Sequence, residues 1–183
     1  MFKKYRKVIL LFSYIFKPLP NFFLKILWDS SGNYSGNLSV ALRYCVLKNL
    51  AKECGGNVYI GKYVTIKNFE KLIIGENVSI HDFSYIEAKG GLTIGDNVSI
   101  AHNSSILTSS HTWDNTGLPI KYNVVTSSPV IIHEDVWIGC GVRILNGVTI
   151  NSRSVVAAGS IVNKNIEANS LVAGVPIKKI KDI

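Results

Sequence analysis

From residue 60 onward an aliphatic residue recurs at every sixth position. The segments IGKYVT, IKNFEK, IGENVS, IHDFSY, IEAKGG, IGDNVS and IAHNSS begin at Ile60, Ile66, Ile74, Ile80, Ile86, Ile94 and Ile100. The register slips by two residues between Ile66 and Ile74, and again between Ile86 and Ile94. After Ile106 the period fails. It resumes as IHEDVW, IGCGVR, ILNGVT, INSRSV, VAAGSI and VNKNIE, from Ile132, Ile138, Ile144, Ile150, Val156 and Val162. Four residues after most anchors stands a small or β-branched residue, as at Val64, Val78, Val98, Val136, Val142 and Val148. A helix repeats about every 3.6 residues and a strand alternates every two, so neither alone gives this pattern. Short β-branched segments joined by Gly- and Asn-containing turns predict the strands of a solenoid. Each flat face then turns one aliphatic anchor inward onto the anchor of the next coil. About fourteen hexads at three per coil predict four to five coils. A small β-sandwich also uses short strands, but it does not predict a six-residue register.

Upstream the periodicity is different. VALRYCVLKNLAKEC, residues 40–54, sets Val40, Tyr44, Leu47, Ala51 and Cys54 on one face, which predicts a helix stopped by Gly55-Gly56. The start, MFKKYRKVILLFSYIFKPLPNFFLKILW, has a charged beginning and an apolar run from Val8 to Phe16. That run is too short to span a bilayer, and Pro18 and Pro20 follow it rather than a small-residue cleavage site. A short amphipathic helix, a proline break and a second apolar piece are predicted, packed on the domain, on a neighbouring subunit or on a membrane surface. The chain divides into a basic helical segment (1–56), a solenoid (57–168) with a loop excursion (107–131), and a C-terminal tail (169–183).

Charge sharpens this division. The formal net charge is +8. Residues 1–62 hold ten Lys/Arg against two Asp/Glu, whereas residues 63–183 hold ten of each. A uniformly basic nucleic-acid binder would not partition in this way. A basic segment rich in Phe, Tyr, Leu and Ile suits a membrane surface or an acidic partner. The chain is 47% hydrophobic and 17% charged, so it is not a disordered tail protein. Cys45, Cys54 and Cys140 have neither metal-ligand spacing nor an even disulfide framework, and read as reduced thiols in a cytoplasm-like compartment.

The stretches IGDNVSIAHNSSILTSSH, VWIGCGVRILNGVTI, VVAAGSIVNKNI and VAGVPIKKIK resemble the hexapeptide-repeat acyltransferases over roughly residues 57–180. The resemblance implies a left-handed parallel β-helix, a hand that the periodicity does not itself reveal. It points to acetyl-CoA-dependent O-acetyltransferases of the galactoside, maltose and polysaccharide type, and the basic start is more like the cell-surface polysaccharide members. It also implies a homotrimer, with one chain supplying a catalytic histidine and another the CoA side. The localisation expected is cytoplasmic, at most at the inner face of the membrane.

A long excursion from a compact solenoid is usually functional. This one carries HTWDNTGLPIKYN. Acyl transfer from a thioester to a hydroxyl needs a group that takes the alcohol's proton and a donor for the developing oxyanion. An imidazole, which titrates near neutrality, suits the first task. His111 matches the family's catalytic histidine by its distance after the IGDNV turn, so the resemblance makes it the general base, with direct attack and no acyl-enzyme. A backbone N–H in the Cys140-Gly141 segment is the candidate oxyanion donor. On the CoA side, Trp137 in VWIG matches a tryptophan beside the acyl-CoA site, and Cys140 stands where a related enzyme has serine. Ala158, Gly159, Asn163 and Lys164 match positions lining the pantetheine channel, where small residues allow close approach. Lys178 and Lys181 match positions that meet the nucleotide phosphates. Asp82, Glu87, Asn103 and Trp113 are candidates for binding the acceptor sugar. His81 and His102 follow anchors on outward positions and read as solvated coil residues.

Other readings compete. An N-acetyltransferase on an amino sugar would use the same apparatus. A γ-class carbonic anhydrase needs three histidines on zinc at a subunit boundary. His81, His102 and His111 do not fit that spacing, and no metal is expected. A non-catalytic scaffold would have little use for His111 together with the CoA-side residues. A serine O-acetyltransferase would carry an extra helical domain.

Overall fold

The computed structural model describes the backbone of residues 2–183 and the side chains from residue 9 onward. Three helices lead: α1 (Phe2–Phe16), α2 (Asn21–Ser31) and α3 (Asn37–Leu50). The proline break lies between α1 and α2, and Pro20 caps α2, where its missing N–H is harmless. The helix expected over 40–54 begins earlier and ends at Leu50. Ala51 turns extended as its N–H bonds the Leu47 carbonyl. Its last residues are strand instead, because Glu53 and Cys54 find ladder partners in Ile73 and Ile74.

The rest is a parallel β-solenoid of the left-handed hexapeptide-repeat kind. The first coil is β1 (Glu53–Cys54), β2 (Tyr59–Ile60) and β3 (Thr65–Lys67). The second is β4 (Leu72–Ile74), β5 (Ser79–Ile80) and β6 (Tyr85–Glu87). The third is β7 (Leu92–Ile94), β8 (Ser99–Ile100) and β9 (Ser105–Ile106). An arm follows, β10 (Ser109–His111) and β11 (Val125–Ser127). The fourth coil is β12 (Val130–Ile132), β13 (Trp137–Ile138) and β14 (Arg143–Ile144). The fifth is β15 (Thr149–Ile150), β16 (Val155–Val156) and β17 (Ile161–Val162). A partial sixth coil bridges Ile166 to Ile150 and adds β18 (Ser170–Ala173), against which β19 (Lys178–Asp182) runs antiparallel. There are thus five full coils and a partial sixth, where four to five were expected. The difference arises because the first coil starts at Glu53 and the last continues past residue 168.

Successive strands of each coil form the first, second and third faces of the solenoid. Every anchor from Ile60 to Val162 is buried. In the early coils Ile60, Ile80 and Ile100 stack twenty residues apart; later, Ile138 and Val156 are eighteen apart. Both two-residue slips fall at the corner between the third and first faces, one as a 3-10 turn at Phe69–Lys71. The arm leaves from that same corner after β9, so one corner absorbs every insertion. The coil rejoins at Val130, opposite Leu92, slightly before the end of the excursion expected from the sequence. At the corner between the first and second faces, Asn57, Asn77 and Asn97 take positive φ and link side chain to side chain at 3.0 and 3.1 Å. This is turn chemistry that Asn tolerates well.

Candidate active site

The corner between the second and third faces gathers Asp82, Asn103, Cys140, Gly141, Ala158 and Gly159 of the residues picked from sequence. Backbone bonds define its columns. Phe83 N–H donates to the Lys62 carbonyl, Asn103 to Asp82, Gly141 to His102 and Gly159 to Cys140, at 2.9–3.0 Å. One column therefore reads Lys62, Asp82, His102, Cys140, Ala158. The next reads Tyr63, Phe83, Asn103, Gly141, Gly159. All five members of the second column have positive φ, between 54° and 70°.

That column changes character along its length. In the first two coils it carries exposed Tyr63 and Phe83, whose rings stack at 4.9 Å and 15°. A bulky residue at positive φ is strained, yet the fold accepts two of them. Hence backbone geometry alone does not demand glycine at the later positions. At Gly141 and Gly159 an added Cβ would meet nothing within 4 Å. Glycine leaves a clear strip along the corner there, where a side chain would stand in the way. The neighbouring Gly139 is different: its Cβ would lie 2.6 Å from the Ala158 nitrogen, so packing requires it.

Trp137 stands exposed on the second face, beside this strip. Across that face Trp137 aligns with Val155, Leu171 and Lys181, and Lys178 pairs with Ala173 one step on. Lys178 and Lys181 are exposed and carry no ion pair among the described residues. Lys179 is held by Glu167 at 2.9 Å and Asp182 at 2.8 Å. A depression of about 190 Å³ brings Lys164 and Lys178 together at the C-terminal end. Asn163 and Lys164 follow β17 at the third–first corner, away from Cys140 and Ala158.

The arm springs from that same third–first corner. His111 ends β10 opposite Val125 and is exposed. Trp113 is exposed beyond it. The tip is organised by buried Asn123. Its Oδ1 accepts from Asn115 N–H at 3.0 Å, and its Nδ2 reaches the carbonyls of Asn115, Leu118 and Pro119. Within one chain, then, His111 and the Trp137–Cys140–Gly159 strip occupy different corners of the solenoid.

Two of the residues expected at the acceptor sugar, Glu87 and Asp82, carry bonds within the fold. Glu87 is 8% exposed. Its Oε1 accepts the Lys89 N–H at 2.6 Å. Its Oε2 accepts the Thr108 N–H at 3.0 Å, the Thr108 hydroxyl at 3.2 Å and the Ser109 hydroxyl at 3.1 Å. It clasps the root of the arm and presents no free oxygen face to a sugar. Asp82 Oδ1 accepts the Lys62 N–H at 2.8 Å, just as Asp96 accepts the Glu76 N–H at 2.7 Å on another corner, so Asp82 caps a turn. Asn103 remains an exposed turn residue whose carbonyl receives Arg143 Nη1. The clasp partners Thr108 and Ser109 and the Tyr63–Phe83 ledge were missed from sequence. Their signal was the twenty-residue coil repeat, which sets residue 63 beside 83 and residue 87 beside 107, one short of Thr108.

His81 and His102 lie on the second–third corner and His111 on the arm. Among the described residues no three His, Cys, Asp or Glu side chains gather as metal ligands.

The model of the family described as Bacterial transferase hexapeptide (six repeats) matches residues 129–164. The chain is 33% identical to a galactoside O-acetyltransferase of Escherichia coli K12 over 157 residues, 82% of this chain and 73% of that one. It is 32% identical to a lipopolysaccharide-biosynthesis O-acetyl transferase of the same organism over 60% of each chain. A hexapeptide-repeat acetyltransferase of Vibrio cholerae, solved in complex with acetyl-CoA, superposes with a TM-score of 0.78. The two share 28% identity over 87% of this chain and 84% of that one. Fold and comparisons together define an acyltransferase built on a β-solenoid. The chain belongs to the hexapeptide-repeat acetyltransferases and is an enzyme of that class.

Proposed function

We propose that the chain transfers the acetyl group of acetyl-CoA to a hydroxyl of a sugar in a cell-surface polysaccharide or its precursor. It does so as a cytoplasmic homotrimer with sites shared between neighbouring chains. The observation that carries this reading is the strip at Gly141 and Gly159, cleared of side chains where earlier coils carry Tyr63, Phe83 and Asn103. It is flanked by Trp137, Cys140 and Ala158, with Lys178 and Lys181 further along the second face. A slender pantetheine arm fits a side-chain-free corner, and cations beyond it suit phosphates. The acetyl-CoA held by the Vibrio cholerae neighbour supports this donor. The galactoside and lipopolysaccharide relatives support a sugar acceptor.

In the reaction the acceptor hydroxyl attacks the thioester carbonyl while His111 takes its proton. The C–S bond breaks, and the imidazolium returns that proton to the departing thiolate. The Gly141 N–H is committed to the His102 carbonyl, whereas the Cys140 N–H has no acceptor among the described residues. In the first coil the equivalent N–H of Lys62 is capped by Asp82, whereas the N–H groups of Asp82 and His102, like that of Cys140, have no acceptor among the described residues. In the fifth coil that capping position is Ala158, which has no acceptor. Of these free N–H groups, that of Cys140 lies beside the cleared Gly141–Gly159 strip, which makes it the donor we assign to the developing oxyanion. Separation of His111 from this strip within one chain favours a site completed by a second chain. Burial pushes the Cys54 thiol up to about 11, partly opposed by Lys48, so this thiol stays protonated near neutrality and is not a nucleophile of the reaction.

The test is release of CoA thiol from acetyl-CoA over a panel of sugars and surface-polysaccharide fragments, with wild type and His111→Ala. Acceptor-dependent turnover is expected to fall by roughly 10²–10⁴ in the variant. Mass and NMR analysis of the product separates an O-acetyl ester from an N-acetyl amide. Equal turnover by both proteins on a true acceptor rules out His111 as the base. No binding of acetyl-CoA by either ends the transferase reading.

A further inference from the structure

We infer that α1 and α2 form a docking face for an anionic lipid bilayer surface, holding the enzyme on a membrane without crossing it. The helices are amphipathic in an unusual sense, because one apolar side is buried and another is left open. On α1, Ile9 and Ser13 turn inward with partly buried Phe16, and Ser13 and Ile9 carbonyls accept from Asn49 Nδ2 and Cys45 Sγ of α3. On α2, Leu24, Trp28 and Ser31 do the same. Yet Leu11, Phe12, Tyr14, Ile15, Leu19, Phe22, Phe23 and Ile26 remain 37–67% exposed. These eight large apolar side chains fall within sixteen consecutive residues. Scattered apolar residues need no explanation, but a dense cluster marks an interaction surface.

Charge identifies the occupant. Through Ser31, the end of α2, the chain carries six basic residues, Lys3, Lys4, Arg6, Lys7, Lys17 and Lys25, against one acidic residue, Asp29. An apolar face with aromatic residues and a predominantly basic complement matches acyl chains beneath anionic headgroups. A protein partner would have to be both apolar and acidic over the same area. No helix among the described residues is long and apolar enough to cross a membrane, so the surface lies on the bilayer rather than in it. Position agrees: α1 and α2 pack on α3, which lies against the first coil, while the arm leaves after the third. Docking at this end keeps His111 and the cleared corner open to solvent, CoA and acceptor.

The experiment is co-flotation of the full chain with vesicles of phosphatidylcholine and phosphatidylglycerol, and with phosphatidylcholine alone, at low and high salt. Light scattering of the same samples gives the oligomeric state. Wild type is expected to float with the anionic vesicles at low salt and to be released as salt shortens the Debye length. Phe22→Ser/Phe23→Ser is expected to lose about tenfold or more in partitioning while keeping its oligomeric state and its turnover on a soluble acceptor. Lys17→Gln/Lys25→Gln, which keeps the apolar face, is expected to weaken anionic binding only. If wild type ignores anionic vesicles, or if both variants bind as wild type does, the inference fails. It also fails if the Phe variant dissociates the oligomer, since a second copy then covers the face.

Discussion

Gly141 and Gly159 stand where Tyr63, Phe83 and Asn103 stand in earlier coils, so their role can be tested without disturbing the backbone. Asn already occupies this position at residue 103 with positive φ and tolerates it. Gly159→Asn is therefore expected to fold normally and to raise the KM for acetyl-CoA by about tenfold or more, with the acceptor KM little changed; isothermal titration with CoA checks it. Unchanged CoA affinity would mean the strip is not the pantetheine path. Glu87 makes the opposite case. Removing its carboxylate in Glu87→Ala strands the buried Thr108 N–H and the Lys89 N–H, at a cost of about 1–3 kcal/mol each at most. Because the clasp sits at the root of the arm, kcat should fall about tenfold while CoA affinity holds. Glu87→Gln, which keeps one acceptor oxygen, should lie between them. The anchors were legible because each is written in one hexad; Gly141 and Gly159 were singled out by resemblance, and their alignment in one strip appears only across coils. Glu87 and Asp82 read as free carboxylates because their partners lie a full coil away in sequence, and only the closed coil shows that turn N–H groups already hold them.

Elements were legible where one period ruled and obscure where two competed. In the stretch 51–54 the helical spacing runs on, but the strand ladder with Ile73 and Ile74 ends the helix at Leu50. Propensity there is a weaker force than pairing onto a preformed coil. The arm was visible as a break in register, yet its form, an antiparallel ribbon with His111 opposite Val125, was not. The seat of the helices on the solenoid rests on Arg43, which is 2% exposed. Its Nε donates to the Ile60 carbonyl at 2.9 Å, and its Nη1 to Ser31 at 2.7 Å and Tyr34 at 3.2 Å. This one guanidinium ties the α2–α3 connection to the first coil. Arg43→Met keeps much of the volume but leaves those carbonyls unpaired, which costs on the order of 3 kcal/mol. For a chain of this size that lowers Tm by roughly 6–12 °C, readable by calorimetry. A shift within a degree would mean that water replaces the guanidinium.

At the scale of the whole molecule a solenoid has faces and corners but no enclosed cleft, so its chemistry must be assembled from separate surfaces. Here the arm leaves one corner and the cleared strip follows another. A trimer in which each arm reaches its neighbour's strip joins them three times over. If sites are shared in this way, two inactive variants can rescue each other. His111→Ala chains retain the strip, and chains blocked at Gly159 by a larger residue retain the histidine. In randomly mixed trimers from equal co-expression, half of the arms and half of the strips are intact. About a quarter of the sites then pair a working arm with a working strip. Turnover of the purified mixed trimers is expected near that quarter of wild type, while either variant alone, or the two mixed without subunit exchange, stays at background. Were each site built within one chain, no mixture would recover activity, because every chain carries one defect. Rescue thus depends on the geometry that divides the apparatus between two corners.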